Sequence, residues 1–305
     1  MYINKICKKT QKYKANSDFK RKYSYKNNRI LNLFLITFII INKTSFIFSK
    51  IIINKKKVLQ SAFSEIILRI SGKGRQNILN DNFTPMPYYL EVNSIQTAFN
   101  YTINNLKYDD NNKIVMKFNN IITSCENMFS GLINITQIDL TNFDLTEVTT
   151  MKGMFYGDIK LWKINFNKNN KISKILNLED MFNGCNRLES IELSMLDTSL
   201  VTNMANMFKE YYQLKSLNLT NFNTSLVKDM QYMFYGCGLL SSLSLINFDT
   251  SSITNMANMF NGCYQLKSLN LTYFKTNSVI DINSMFSYCN SLSSLYLNNF
   301  KLIQL

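Results

Sequence analysis

The chain has 305 residues, with 34 Lys/Arg against 20 Asp/Glu, six Cys and no His. Without histidine it lacks the commonest general base, the Ser-His and Cys-His nucleophile pairs and every His-ligated metal site, so most enzyme chemistry is disfavoured. The net charge of +14 resides in residues 1–57, where 15 Lys/Arg face one acidic residue; from residue 121 onward 13 Lys/Arg balance 14 Asp/Glu. The larger part of the chain therefore offers no broad positive field to a phosphate backbone, and nucleic acid is not an expected partner.

Residues 1–29 form a basic n-region with ten Lys/Arg. ILNLFLITFIII follows from Ile30 to Ile41, broken only by Asn32 and Thr37, and further apolar tracts lie at Phe46 to Phe48 and Ile51 to Ile53. Residues 30–57 thus read either as the apolar segment of a signal peptide or as an uncleaved signal anchor that would hold the protein to a membrane. Both readings predict a secreted or cell-surface location. Residues 58–120 carry the β-like runs EIILRI, YYLEV and KIVMKF, broken by GKG and FTPMP. They predict a small β-rich N-terminal cap, which the first coil of a repeat array requires.

Residues 121–305 repeat. Met-Phe pairs stand at Met128-Phe129, Met154-Phe155, Met181-Phe182, Met207-Phe208, Met233-Phe234, Met259-Phe260 and Met285-Phe286, spaced by 26, 27, 26, 26, 26 and 26 residues. A constant period in this range signals a solenoid of seven coils, with one added residue near Asn169. Six residues after each Phe begins L-x-x-L-x-L-x-x-F, as at Leu214, Leu217, Leu219 and Phe222, which predicts a strand with alternate residues inward. The Asp/Asn-Thr-Ser turn that follows leads into an apolar stripe at helical spacing, such as Val201, Met204 and Met207-Phe208. A Gly two residues past the Phe, at positions 131, 157, 184, 236 and 262, suits the end of a short helix needing positive φ. The expected fold is a right-handed α/β solenoid with a parallel β-sheet on one face, short helical segments on the other and the β-rich cap at its start.

The combination of MFxGCxxLxxLxLxxF and DTSxVTxM at this period resembles the BspA-like leucine-rich repeat of bacterial surface proteins. The resemblance covers residues 121–305 and departs from the pattern at KINFNKNNKISKI in the second unit and at KEYYQL in the fourth, which lacks Gly and Cys. It implies a leucine-rich repeat protein, secreted or displayed at the cell surface, that binds or adheres without enzymatic activity.

Cys185, Cys237, Cys263 and Cys289 each lie three residues after the repeated Phe, one per coil. That spacing describes a buried thiol column; metal sites need ligands converging at short spacing. No metal, cofactor or catalytic residue is expected. The candidate ligand surface is the exposed sheet face, built from Ser190 and Glu192; Ser216, Asn218 and Thr220; Ser242 and Ser244; Ser268, Asn270 and Thr272; and Ser294, Tyr296 and Asn298. Its small polar side chains suit a protein or carbohydrate ligand, and equally suit the solvated face of a structural spacer or an intracellular interaction scaffold. Trp162 and Tyr296 are the large aromatics on or beside it, the residue types enriched at binding hot spots. NNFKLIQL stops directly after the seventh predicted strand, and an open final coil predicts self-association through its unpaired backbone.

Overall fold

The structure is a computed structural model, and it describes residues 64–300. The basic n-region and the apolar signal or anchor segment expected within 1–57 lie outside the described residues, as do 301–305.

β1 (Ser64–Ile70) buries every second residue, with Ser64, Ile66, Leu68 and Ile70 inward, as a strand covered on one face must. It pairs antiparallel with β6 (Asn112–Phe118), Leu68 opposite Ile114. β3 (Tyr89–Val92) lies on the far side of β6 and closes a hairpin with β4 (Ile95–Thr97). The two connecting residues Asn93 and Ser94 both take positive φ, 49° and 68°, the conformation a two-residue hairpin turn requires. β2 (Gly74–Asn77) and β5 (Thr102–Leu106) form a separate antiparallel pair. On its other edge β1 pairs antiparallel with β7 (Ile135–Asn142), which pairs parallel with β8 (Lys163–Phe166). One six-stranded sheet, ordered β4-β3-β6-β1-β7-β8, thus carries the hydrogen bonding of residues 64–118 into the first two repeat coils.

Beyond β8 the coils stack. The repeated phenylalanines form a column from Phe129 to Phe286 with successive ring centroids 5.5–5.9 Å apart and interplanar angles of 5–9°. Each Phe N–H donates to the Met carbonyl of the next coil, as from Phe208 to Met233 at 3.0 Å. The Thr of each Asp/Asn-Thr-Ser turn is buried: Thr198 accepts the Asn223 N–H at 2.8 Å and donates to the Asn223 carbonyl at 2.9 Å, and Thr250 does the same with Lys275 at 2.7 and 3.0 Å. The repeated letters M, F and T are therefore contacts between coils.

The expected α/β solenoid with short helices and a continuous parallel sheet does not form. No helix occurs among the described residues, the six-stranded sheet is mainly antiparallel, and parallel strands appear only as β7 with β8 and as β9 (Ser268–Asn270) with β10 (Ser294–Tyr296). The stretches around residues 190–194, 216–220 and 242–246, expected as strands, run without strand pairing. The reason for the missing helix is visible in one coil. Met204, Asn206, Phe208 and Glu210 donate their N–H groups forward to Asp229, Gln231, Met233 and Tyr235, while the intervening Met207 and Lys209 donate back three residues to Met204 and Asn206. An α-helix needs every amide bonded four residues back. Two left-handed residues per coil, here Asn206 (φ 57°) and Glu210 (φ 55°), enforce the alternation. The recurrent Gly does need positive φ, at Gly131, Gly157, Gly184, Gly236 and Gly262, but it ends a chain of turns.

Three substitutions test this description by urea unfolding. Glu210→Gly, which removes the left-handed penalty at the position where five other coils carry Gly and the seventh Tyr288, stabilises the protein by about 0.5–1 kcal/mol after the entropy of the new glycine is set against it. Gly262→Ala, with φ +77° and a new Cβ 3.4 Å from the Gly236 Cα, destabilises it by about 1–2 kcal/mol. Phe208→Ala, which breaks the ring column, costs about 3–5 kcal/mol.

Candidate functional site

The expected sheet-face residues lie along one side of the stack. Ser190, Glu192, Ser216, Asn218, Thr220, Ser242, Ser244, Ser268, Asn270, Tyr296 and Asn298 are exposed, while Thr272 and Ser294 are half-buried. In β9 and β10 the register sets Ser268 beside Ser294 and Asn270 beside Tyr296. Much of this polarity is consumed locally. Asn218 Oδ1 accepts the Thr220 N–H and hydroxyl at 3.1 and 2.8 Å, Asn270 Oδ1 accepts the Thr272 N–H at 3.0 Å, and Glu192 Oε1 accepts the Ser194 N–H at 2.9 Å. These are side-chain turns that fold the chain back after the extended stretch.

Between the second and third coils the face opens into a groove of about 920 Å³, a size common for ligand clefts. One wall is Trp162, β8 and the residues 167–169; the other is Arg187 and residues 189–192, so Ser190 and Glu192 lie on it while the other candidate residues do not. A second concavity of about 580 Å³ shares Trp162, Arg187 and Glu189 and adds Ile159, Asn186 and Gln213. Trp162, the only tryptophan of the chain, is 51% exposed where the two meet. Asn167 accepts the Asn169 N–H on its side chain and the Asn170 N–H on its carbonyl, and this turn closes β8 as those from Leu140 to Phe143 and from Leu219 to Phe222 close their coils, here in the one coil spaced by 27 residues.

The acids of the groove are held. Glu189 pairs with Lys215 at 2.8 Å, and the Ser194 amide and hydroxyl keep the Glu192 carboxyl below the usual range. Burial works against the charge of neighbouring Asp139, but hydrogen bonds from Thr141 and Asn165 together outweigh it and its carboxyl also sits low. Lys163, Lys168 and Arg187 form no ion pair among the described residues and, with Glu189 matched by Lys215, outnumber the ionised Glu192, so the net charge on the walls is positive. Sequence reasoning placed Ser190 and Glu192 here but passed over Arg187 and Lys168. The irregular KINFNKNNKISKI and the 27-residue spacing were the signals that could have found them.

The cysteine column is buried at Cys185, Cys237 and Cys263 and half-buried at Cys289, all as free thiols. Each donates to the Phe carbonyl at the same place in the coil before, at 3.0, 3.2, 3.2 and 3.1 Å. Burial pushes every one of these thiols up, away from the reactive thiolate. Among the described residues no group of three or more Cys, Asp or Glu is placed to hold a metal ion. Two polar residues replace Cys in the column. Asp158 is fully buried, with Oδ1 accepting the Leu132 N–H at 2.9 Å and Oδ2 unpartnered, and Tyr211 keeps a buried hydroxyl that is likewise unpartnered. Burial raises the Asp158 carboxyl well above its ordinary value.

A folded-state carboxyl raised above its unfolded value of about 3.9 holds a proton that the unfolded chain gives up, so its contribution to stability falls as pH rises past that value. Asp158→Asn keeps the acceptor for Leu132 and removes the titration. The variant matches the parent near pH 3 and exceeds it increasingly toward pH 7, read as the difference in melting temperature between the two proteins across that range.

The family model described as "Mycoplasma protein of unknown function, DUF285" matches residues 91–170, 123–218, 160–243 and 210–304, and the second of these matches holds the whole groove. No curated protein and no solved structure matches the chain.

Proposed function

The chain belongs to the Mycoplasma DUF285 family, and from that premise we propose that it is a non-enzymatic recognition protein, secreted or displayed at the cell surface, whose groove between coils two and three binds a protein or carbohydrate. The observation that carries the reading is the groove itself: an exposed lone Trp162 at the meeting of two concavities, flanked by the unpaired Arg187, Lys163 and Lys168. Aromatic and Arg side chains in a concave setting are the usual anchors of an interface. The resemblance of residues 121–305 to BspA-like repeats supports the same reading. The basic, then apolar, sequence of residues 1–57 supports export or membrane attachment.

A second reading applies to the rest of the face. Asn218, Asn270 and Glu192 spend their acceptors on their own turns, which favours a solvated spacer that holds the groove away from its base.

Two measurements test the proposal. Mass spectrometry of membrane, secreted and soluble fractions locates the protein; recovery in the soluble cell fraction with residues 30–57 intact would remove the surface reading. On immobilised arrays of peptides and glycans, Trp162→Ala and Arg187→Ala each weaken capture at least tenfold with unchanged melting temperature, whereas Ser216→Ala and Asn218→Ala change it less than twofold. Equal capture by all four variants sinks the groove as the site.

A further inference from the structure

β8 is the last strand of the six-stranded sheet, and only its inner side is hydrogen-bonded, to β7. Residues 189–192, which face its outer side across the groove, are in no strand. The two coils are joined on either side of this stretch. Phe155 and Gly157 donate to Met181 and Asn183 at 3.1 and 2.8 Å before it, and Ile172 donates to Met195 and accepts from Asp197, both at 2.9 Å, after it. The stack is therefore closed at both ends of a slot in which one wall is an unpaired strand edge. Such an edge is a template for another strand.

We propose that an extended acidic peptide segment of another protein adds to the outer edge of β8 as a further strand, filling this slot; the inference rests on the groove being the recognition site. The length fits, because four residues of β8 span about 13 Å of extended chain at about 3.3 Å per residue. Main-chain hydrogen bonding to the edge supplies affinity, and the walls select side chains. The charge fits as well: Glu189 is paired with Lys215, and Arg187, Lys163 and Lys168, which form no ion pair among the described residues, outnumber the remaining wall acid Glu192 three to one. Trp162 at the mouth covers one flank of the added strand.

The full-length chain reports on itself, since Trp162 is its only tryptophan. It is titrated with blocked hexapeptides of alternating Val and Glu, with the same peptides N-methylated at alternate amides, with Val-Lys hexapeptides and with hexagalacturonate. The expected result is a saturable change in tryptophan emission with Val-Glu peptides at least tenfold tighter than with their N-methylated or Val-Lys counterparts, weakened at least tenfold by a combined Arg187→Ala and Lys168→Ala substitution. N-methylated peptides binding as well as the parent overturn strand addition, and Val-Lys peptides binding as well overturn the charge preference. Saturation by hexagalacturonate alone overturns the peptide inference and leaves the groove as a glycan site. Silence with every probe overturns the inference, and the array measurement above then decides separately whether the groove binds at all.

Discussion

Everything in the repeat part hangs on where alternate backbone amides point. In each coil the residues before and around the Met-Phe pair send every second N–H to the neighbouring coil and the rest back along their own coil, as Met204 to Glu210 show. Left-handed residues at two positions per coil make that routing possible, and the Phe column and the buried Thr hydroxyls fill the space it creates. A stack of this kind has no local unit that is stable alone, since half of each coil's hydrogen bonds belong to its neighbour. Residues 64–118 supply the first neighbour through the pairing of β1 with β7.

The candidate site is where that regularity lapses. In the one coil spaced by 27 residues, a solvent-facing slot with an exposed indole lies between residues 163–169 and 187–192. Elsewhere on the face Asn218 and Asn270 spend their acceptors on their own turns. Regular coils thus give length and rigidity, and the irregular one gives a concave surface with uncommitted charge. The buried thiols stand apart from this site: they sit in the core, protonated and bonded to carbonyls.

How far the sequence reveals this depends on the residue. The period, the inward Met, Phe and Cys and the positive φ of the recurrent Gly follow from spacing and composition, because burial and backbone chirality leave few letters to choose from. The absent helix does not follow. Val201, Met204 and Met207-Phe208 have helical spacing, yet the same spacing serves a chain of turns, and amide routing between coils has no letter of its own. The other left-handed position is held by Asn127, Gly153, Asp180, Asn206, Tyr232, Asn258 and Ser284, too varied to be read as a signal. At the site, Ser190 and Glu192 are found by their place in the repeat, but the groove is a property of a gap, and only the 27-residue interval hinted at one. Asn218 and Asn270 look like free hydrogen-bonding groups in sequence because their partners lie two residues away along their own chain.

The inter-coil bonds have a mechanical meaning. They run from coil to coil, so a pull along the stack loads each junction in turn and tears it rung by rung, whereas a pull across the coils is resisted by many rungs at once. Between coils two and three the rungs lie before and after the groove, from Phe155 and Gly157 and at Ile172, with none across it among the described residues. A strand seated against β8 would add rungs across the groove, so that the same contact that captures a partner also splices the array against tension.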